Sequence, residues 1–353
     1  MELKIEHWGQ IEGQVVPVKL ISLTNSQGIT LQLTNYGCIV TSIEVPDRNG
    51  VKADVVLGYE SLEKYLGGHP FFGAIAGRYA NRIEEGRYQL AGQEFQLETN
   101  EVPTGQHLHG GSKGFDKYVW DFEVEEQAEA IYVHLTRVSP DGEGGYGGTL
   151  NVTHTIGLDE FNQVHYNFQA FTNKPTVINL VNHSYYNLGG HNSGTVDNHE
   201  LKLYSQFYTP VTENSIPTGE ILSVKGTGLD FTETKQIAVN KAMMPLGGFD
   251  HNCILDGSKT EGEYNYAAEL YDAESGRMMA VLTTQPAVQF YNGFKLSNKH
   301  WVGRHGERYE SCQGICLETQ HYPDSPNNAH FPTTRLNPGE LFEEKTIHRF
   351  SIK

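Results

Sequence analysis

Short runs with a period of two, in which apolar residues fill most of the alternate positions, recur along this chain. The first consists of Ile29, Leu31 and Leu33 and stops at the turn-forming residues 35–37. Comparable rows are Ile39, Thr41, Ile43 and Val45; Leu150, Val152, His154 and Ile156; Val164, Tyr166, Phe168 and Ala170; and Met278, Ala280 and Leu282. Successive side chains of a strand point to opposite faces of its sheet, so this spacing predicts strands joined by turns.

Helical patterns are rare by comparison. Residues 61–66 precede Gly67 and Gly68, which predicts one short helix with Ser61 as its N-cap and the glycines at its C-terminus. A chain of 353 residues usually divides into two domains, but large β-sandwiches are an exception, and no segment marks a boundary. We therefore predict an all-β protein with few short helices, a large antiparallel β-sandwich that forms a single domain over residues 1–353.

Charge and composition exclude several classes of function. The formal net charge is −17, which disfavours binding to nucleic acid or to anionic membranes. No run of about 18 apolar residues suggests a membrane span, and the N-terminus lacks the apolar core of a signal peptide. Four cysteines are too few for a disulfide framework in a chain of this length. We expect a cytoplasmic protein with reduced thiols.

Two distant segments supply groups that can move protons. Glu318 ends a short apolar run just before a Pro-rich turn, and His183 follows an apolar strand predicted over residues 177–181. A carboxylate with an ordinary pKa near ~4.3 and an imidazole near ~6.5 suit a general base and a general acid at neutral pH. A lone histidine is more often a packed residue than a catalyst, so neither segment is decisive alone.

Three further segments carry polar side chains suited to a sugar. Arg78 and Arg82 stand four residues apart and either donate to hydroxyl oxygens or form a structural ion pair. Asp250, in a predicted loop, either accepts from two neighbouring hydroxyls or closes a turn. Gln289 lies among aromatic residues in a predicted strand, a combination that is common in carbohydrate clefts.

A His-x-His pair, His107 and His109, is a pattern that often binds metal. The acidic ligand that should follow is absent, since Ser112, Lys113 and Gly114 stand in its place. We therefore predict no metal, and a neutral hydrogen-bonding role for one of the two histidines.

Six segments, in order between residues 77 and 327, resemble the aldose 1-epimerase (galactose mutarotase) family. They are Gly-Arg-x-Ala-Asn-Arg-Ile, Leu-His-Gly-Gly, Asn-His-Ser-Tyr-x-Asn-Leu-Gly-Gly, Gly-Phe-Asp-His-Asn, Gln-Pro-x-Val-Gln-Phe-Tyr and Leu-Glu-Thr-Gln-His-x-Pro-Asp. The resemblance implies a β-sandwich of the galactose mutarotase type. It also implies an isomerase that acts on a small-molecule substrate, a free aldohexose such as galactose or glucose, without a cofactor.

The matched positions imply Glu318 as the general base and His183 as the general acid. They imply substrate contacts at Asn81, Arg82, His109, Tyr185, Asp250 and Gln289. The chain departs from the family pattern at Gln106-His107, which leaves open whether His107 also contacts the sugar. The preference between glucose and galactose, and the choice between a monomer and a homodimer, also stay open.

Interconversion of α- and β-anomers requires the C1 hydroxyl to lose a proton while the ring oxygen O5 gains one. With ordinary pKa values, the rate should fall at low pH as Glu318 is protonated and at high pH as His183 loses its proton.

Three alternatives remain. A glycoside hydrolase would need two carboxylates, which Asp250 and Glu318 could provide. A sugar-binding module would give no reason for the His183 and Glu318 pair. A hexose-6-phosphate mutarotase of the same fold would need a cluster of cations, and the motifs offer only Arg78 and Arg82.

Overall fold

The computed structural model describes residues 1–353, apart from the side chain of Leu246. Its α-helices are α1 (Leu62–Leu66) and α2 (Ile237–Lys241). The first ten strands are β1 (Glu2–Gly9), β2 (Val18–Thr24), β3 (Thr30–Thr34), β4 (Ile39–Pro46), β5 (Lys52–Asp54), β6 (Ile75–Ala76), β7 (Arg82–Ile83), β8 (Arg87–Leu90), β9 (Gln93–Gln96) and β10 (His107–Leu108). The next ten are β11 (Asp121–Glu126), β12 (Ala130–Ser139), β13 (Leu150–Asp159), β14 (Gln163–Thr172), β15 (Thr176–Val177), β16 (Val181–Asn182), β17 (Glu200–Leu203), β18 (Ser205–Thr209), β19 (Leu222–Ser223) and β20 (Lys235–Gln236). The last ten are β21 (Asp250–Leu255), β22 (Thr260–Glu261), β23 (Tyr264–Tyr271), β24 (Arg277–Thr283), β25 (Ala287–Tyr291), β26 (Trp301–Val302), β27 (Arg308–Tyr309), β28 (Cys316–Gln320), β29 (Arg335–Leu336) and β30 (Phe342–Ile352).

Most strands belong to three antiparallel sheets. An N-terminal sheet has the order β1-β2-β3-β4-β5, and a second five-stranded sheet has the order β19-β18-β21-β25-β28. The largest, with ten strands, has the order β11-β12-β13-β14-β30-β24-β23-β17-β20, with β22 paired to β23. Strand β30 pairs with both β14 and β24, so the C-terminal strand joins segments that are far apart in sequence. The predicted all-β architecture is confirmed.

The alternating rows supply the core between these sheets. Leu31 and Leu33 of β3, Ile156 of β13 and Val164 of β14 are fully buried members of one hydrophobic cluster. In β24, Val281 faces this cluster, while Met278 and Ala280 on the other face are only partly buried. Full burial of such a side chain stabilises the fold by about 1.5–3 kcal/mol. The single-domain assignment stays a prediction.

Two local predictions need correction. The predicted helix forms as α1, but the side chain of Ser61 makes no capping hydrogen bond. The predicted apolar strand over residues 177–181 is interrupted, because β15 ends at Val177 and β16 begins at Val181. Between them the buried Asn179 bonds the backbone of the segment after β6, where its amide donates to the Ala80 carbonyl at 3.2 Å.

Strand register brings the predicted site residues together. In the second five-stranded sheet, Gln289 of β25 lies opposite Glu318 of β28, and Asp250 starts the neighbouring strand β21. His183 directly follows β16. Arg82 of β7 lies opposite Leu108, one residue before His109. No helix in the part of the chain that the structure describes is long and apolar enough to span a membrane.

Candidate active site

A cavity of about 290 Å³ opens beside the ends of β21 and β28. Seven of the eight residues predicted from the sequence line it, namely Asn81, Arg82, His109, His183, Tyr185, Asp250 and Glu318. The eighth, Gln289, lies behind Asp250 and donates to its Oδ1 at 2.8 Å. The strand pairing and loop contacts therefore gather residues that span more than two thirds of the chain.

Sequence reasoning missed several residues of the cavity wall. They are His69, Pro70, Phe71, Glu101, Leu108, Tyr291, Lys295, Lys299 and Trp301. Tyr291 belongs to the segment that was singled out for its aromatic residues, so that signal was present. Most of the others reach the cavity from loops, where neither alternation nor motif spacing indicates which way a side chain points.

Glu318 is the buried carboxylate of the cavity, with 3 % of its surface exposed. Its Oε2 lies 3.6 Å from Nε2 of His183 and has no hydrogen-bond partner among the described residues. Burial raises the pKa of Glu318 to about 8, with a further rise from the charge of Asp250 and a smaller opposing effect of Arg82. A buried polar atom without a partner is costly, so this oxygen is available for a ligand.

His183 is held on three sides. Its imidazole stacks between the rings of Phe71 and Tyr185, at centroid distances of 5.8 and 5.0 Å. Its Nδ1 lies 3.5 Å from Sγ of Cys316, which leaves Nε2 facing Glu318. Burial lowers the pKa of His183 to about 4.

With these pKa shifts His183 titrates at the lower pH and Glu318 at the higher pH, the opposite order from the one expected from ordinary pKa values. Between about pH 4 and pH 8 the favoured form has a protonated Glu318 and a neutral His183, rather than an ionised carboxylate beside an imidazolium. The ion pair is the minor arrangement of the same single proton, and it becomes accessible by one transfer across 3.6 Å. The prediction that Glu318 titrates at low pH and His183 at high pH assumed ordinary pKa values, whereas burial disfavours both charges and shifts the two pKa values the opposite way.

His109 is a neutral hydrogen-bond donor. The backbone N–H of Asn81 donates to its Nδ1 at 3.1 Å, which places the imidazole hydrogen on Nε2. Burial, followed by the charges of His183 and Arg82, holds the pKa of His109 well below its usual range. The predicted neutral role for one histidine of the pair fits this residue.

His107 does not line the cavity. Its Nδ1 donates to the Glu98 carbonyl at 2.7 Å, and its Nε2 accepts from the Tyr146 hydroxyl at 2.5 Å. In a regular strand, residues 107 and 109 would share a face, but β10 ends at Leu108 and His109 has a left-handed φ of 51°. This turn of the backbone separates the two imidazoles, so that His109 lines the cavity and His107 does not.

A group of three possible metal ligands does occur in the cavity. Ligand atoms of His109, His183 and Glu318 lie within 4.8 Å of one another. Ligation through Nε2 of His109 would require its hydrogen to move to Nδ1, where it would oppose the N–H of Asn81. The donor set therefore does not fit a metal ion.

The two arginines of the first motif have different roles. Arg78 is buried outside the cavity wall, where it donates to the backbone carbonyls of Ser139, Gly147 and Gly148. Arg82 lines the cavity and forms a bidentate ion pair with Glu101, at 2.8 Å from Nε and 2.6 Å from Nη2. Glu101 thus fixes the orientation of the guanidinium beside the cavity.

Asp250 contributes a fixed negative charge. Although burial favours its neutral form, the charges of Arg82 and Lys295 hold the pKa of Asp250 below its usual value. Gln289 donates to Oδ1 and Lys295 lies 3.2 Å from Oδ2. Asp250 and Glu318 therefore lie in the same cavity with pKa values shifted in opposite directions.

Known proteins that are similar in sequence to this chain are described as aldose 1-epimerases or galactose mutarotases. The sequence model of the aldose 1-epimerase family matches residues 19–349. Galactose mutarotases from Bos taurus and Homo sapiens are 42% and 41% identical to the chain, over 93% and 92% of its length and 92% of theirs. An aldose 1-epimerase from Escherichia coli (strain K12) is 34% identical over 95% of both proteins.

Solved structures agree with the sequence matches. An aldose epimerase homologue from C. elegans superposes with a TM-score of 0.85 at 26% identity, over 94% of this chain and 98% of that one. A galactose 1-epimerase from Lactobacillus acidophilus NCFM gives a TM-score of 0.85 at 27% identity, over 99% of both chains.

Proposed function

The chain belongs to the aldose 1-epimerase family, and we propose that it interconverts the α- and β-anomers of free aldohexoses with Glu318 as general base and His183 as general acid. Its fold is a large β-sandwich of the galactose mutarotase type, and the protein is an isomerase of carbohydrate metabolism. The observation that carries the proposed roles is the contact of 3.6 Å between Nε2 of His183 and Oε2 of Glu318 in the cavity.

The reaction needs two proton transfers and no leaving group. In the ion-paired form, Glu318 accepts the proton of the C1 hydroxyl while His183 donates a proton to O5, and the C1–O5 bond breaks to give the open-chain aldehyde. Rotation about C1–C2 presents the other face of the carbonyl. The return transfers then close the ring as the opposite anomer and restore both side chains, so no covalent nucleophile is required.

The remaining residues would bind the sugar and stabilise the shifting charge. Nε2–H of His109 and the guanidinium of Arg82 are fixed donors on buried side chains, and donors act more strongly in buried surroundings than in water. We assign further substrate contacts to Asn81, Tyr185 and Asp250. Gln289 would act through Asp250, to which its amide donates.

Free hexoses are the proposed substrates, and galactose and glucose are the first to test. The structure adds Lys295 and Lys299 to the cavity wall, but Lys295 is already paired with Asp250 at 3.2 Å. A phosphorylated hexose remains the alternative substrate. We also propose that neither metal nor nucleotide is required, and that the four buried free thiols suit a cytoplasmic location.

The test is the optical rotation of freshly dissolved α-D-galactose and α-D-glucose, with and without the protein, in buffer that contains a chelator. We expect the protein to accelerate the approach to the equilibrium rotation for both sugars. No acceleration with either sugar, combined with acceleration for the 6-phosphates, would assign the protein to the phosphorylated substrates instead.

The pH dependence of kcat/KM should follow the singly protonated pair. We expect the rate to fall below about pH 4, where His183 is protonated as well as Glu318 and the pair holds two protons. It should also fall above about pH 8, where Glu318 is deprotonated and the pair holds none. The measurement is the initial mutarotation rate across this range, corrected for the uncatalysed reaction at each pH. An alkaline limb near the ordinary histidine value of about 6.5 would contradict this assignment.

Asp250→Asn should chiefly weaken substrate binding. We expect KM to rise about 10- to 100-fold, because a hydrogen bond to a charged group is worth about 1.5–3 kcal/mol. The alkaline limb should also move to lower pH, because the charge of Asp250 contributes to the raised pKa of Glu318. Steady-state kinetics over a range of pH measures both effects.

Asp197→Asn is the matched control for that variant. Asp197 also pairs with a lysine, Lys241 at 2.8 Å, but does not line the cavity. It should leave KM and the pH profile unchanged. An unchanged KM in Asp250→Asn, together with lost stability, would show that Asp250 is structural.

A further inference from the structure

The ring of Phe71 lies among three histidines of the cavity. Its centroid is 4.6 Å from that of His109, 5.8 Å from that of His183 and 6.0 Å from that of His69. His109 and His183 are in turn 5.2 Å apart, edge to face. One phenyl ring therefore contacts both the proposed acid and the proposed neutral donor.

The backbone of Phe71 has an unusual conformation. Its φ is +64°, in the left-handed region that bulky residues rarely adopt. Such a conformation persists only where the surrounding structure holds it, and it is most common at functional sites. Asn81 and His109, which also line the cavity, have φ values of +59° and +51°.

Hydrogen bonds tie the Phe71 loop to the segment that carries His183. The Gly73 N–H donates to the His183 carbonyl at 3.1 Å, and the His183 N–H donates to the Ala74 carbonyl at 2.9 Å. On the other side of Phe71, the Tyr185 hydroxyl donates to the Pro70 carbonyl at 2.9 Å. The backbone segments that carry Phe71 and His183 are thus held together by these hydrogen bonds.

We propose that Phe71 is a positioning residue for the mutarotation reaction, whose ring fixes the imidazoles of His183 and His109 at their angles to Glu318 and keeps water from them. The proposal rests on the proposed function, since positioning is defined relative to the proton transfers. The stacking angle between the Phe71 and His183 rings is 28°, so rotation of this imidazole away from Glu318 would require Phe71 to move.

The environment of His183 supports the water-excluding role. The titratable and charged groups around it are Glu318 and Cys316 of β28, His109 after β10, Tyr185 on its own segment, Arg82 of β7, His69 beyond Phe71, and Asp250 of β21. Asp250 favours the charged imidazole, yet burial outweighs it in lowering the pKa of His183. Water that entered in place of the Phe71 ring would weaken this effect of burial.

The test compares Phe71→Leu with Phe71→Tyr and with Phe95→Leu. Phe95 is a matched control, because its ring stacks on Tyr88 at 5.0 Å and does not line the cavity. We expect Phe71→Leu to lower kcat about 10- to 100-fold, the usual effect of a small misplacement of reacting groups, with KM changed by less than about threefold. Phe71→Tyr should restore most of kcat, and Phe95→Leu should lose stability without losing kcat.

Two results would overturn the proposal. A raised KM with normal kcat in Phe71→Leu would show that the ring is a platform for the sugar and not a positioning residue. A normal kcat and an unshifted acid limb in Phe71→Leu would show that the ring neither binds the sugar nor positions the histidines. We expect the acid limb of the kcat/KM profile to move to higher pH as water reaches His183.

A turnover-independent measurement separates this proposal from the proposed function. Histidine ring signals in NMR, followed with pH in the free protein, should show His183 and His109 titrating at higher pH in Phe71→Leu than in the wild type. If the wild type does not catalyse mutarotation, the proposed function fails, whereas the titration still decides whether Phe71 controls these imidazoles. Unchanged titration of both histidines would contradict the proposal.

Discussion

Glu318→Gln is expected to lower the turnover of mutarotation by about 10²- to 10⁴-fold, the usual contribution of one positioned proton-transfer group. Glutamine has nearly the same size and is neutral, like the protonated carboxyl group that burial favours at this position. It cannot accept the proton of the C1 hydroxyl. The loss should therefore appear in kcat, measured by polarimetry, while the cavity keeps its shape.

The same substitution should stabilise the protein at alkaline pH. Because the pKa of Glu318 is raised to about 8 in the fold, stability contributed by this group is lost as the pH rises from the unfolded value through about 8. Glutamine does not titrate, so Glu318→Gln should unfold at a higher urea concentration than the wild type at pH 8. Low activity combined with higher stability is expected of a group retained for catalysis.

Glu344→Gln is the matched control for Glu318→Gln. Burial raises the pKa of Glu344 to about 7, and its carboxylate accepts from Thr284 Oγ1 at 2.6 Å, but it does not line the cavity. Turnover should be normal in this variant. Near-normal turnover in Glu318→Gln instead would refute the base assignment and leave Asp250 as the catalytic carboxylate.

His183→Asn is the second large effect, with an expected loss in kcat of about 10²- to 10⁴-fold. The asparagine amide fills part of the same space but cannot donate a proton to O5 in the accessible pH range. His154→Asn is the control, since His154 is also a buried histidine and stacks on Phe168 at 4.2 Å, outside the cavity. Polarimetric kcat should fall in the first variant only, and retained turnover in His183→Asn would rule out its role as the acid.

The fold was predictable because its strands have distinct buried faces. Leu31 and Leu33, or Val164 and Tyr166, are spaced so that only a sheet buries them together, and the structure places all four in the core. The exact ends of elements were less predictable. Asn179 interrupts the predicted strand through a hydrogen bond to a distant carbonyl, which local spacing does not reveal.

Some residues of the candidate site were likewise predictable from the sequence, and others were not. Residues in the matched motifs, such as Asp250 and Glu318, were found because they follow a pattern of residue types along the chain. Phe71 and Glu101 were missed because their positions depend on loop conformation and on contacts made after folding. The pKa shifts of the proposed acid and base were also not predicted, since burial is a property of the folded cavity and not of either residue alone.

The most direct measurement is the set of four mutarotation rates for the wild type, Glu318→Gln, His183→Asn and the double variant, taken by polarimetry with α-D-galactose at one pH. If the two side chains form one proton-transfer unit, the double variant should be no more than about threefold slower than the slower single variant, since groups that act together are far from additive. A double variant whose loss equals the product of the two single losses would show that Glu318 and His183 act independently, which contradicts the proposed mechanism.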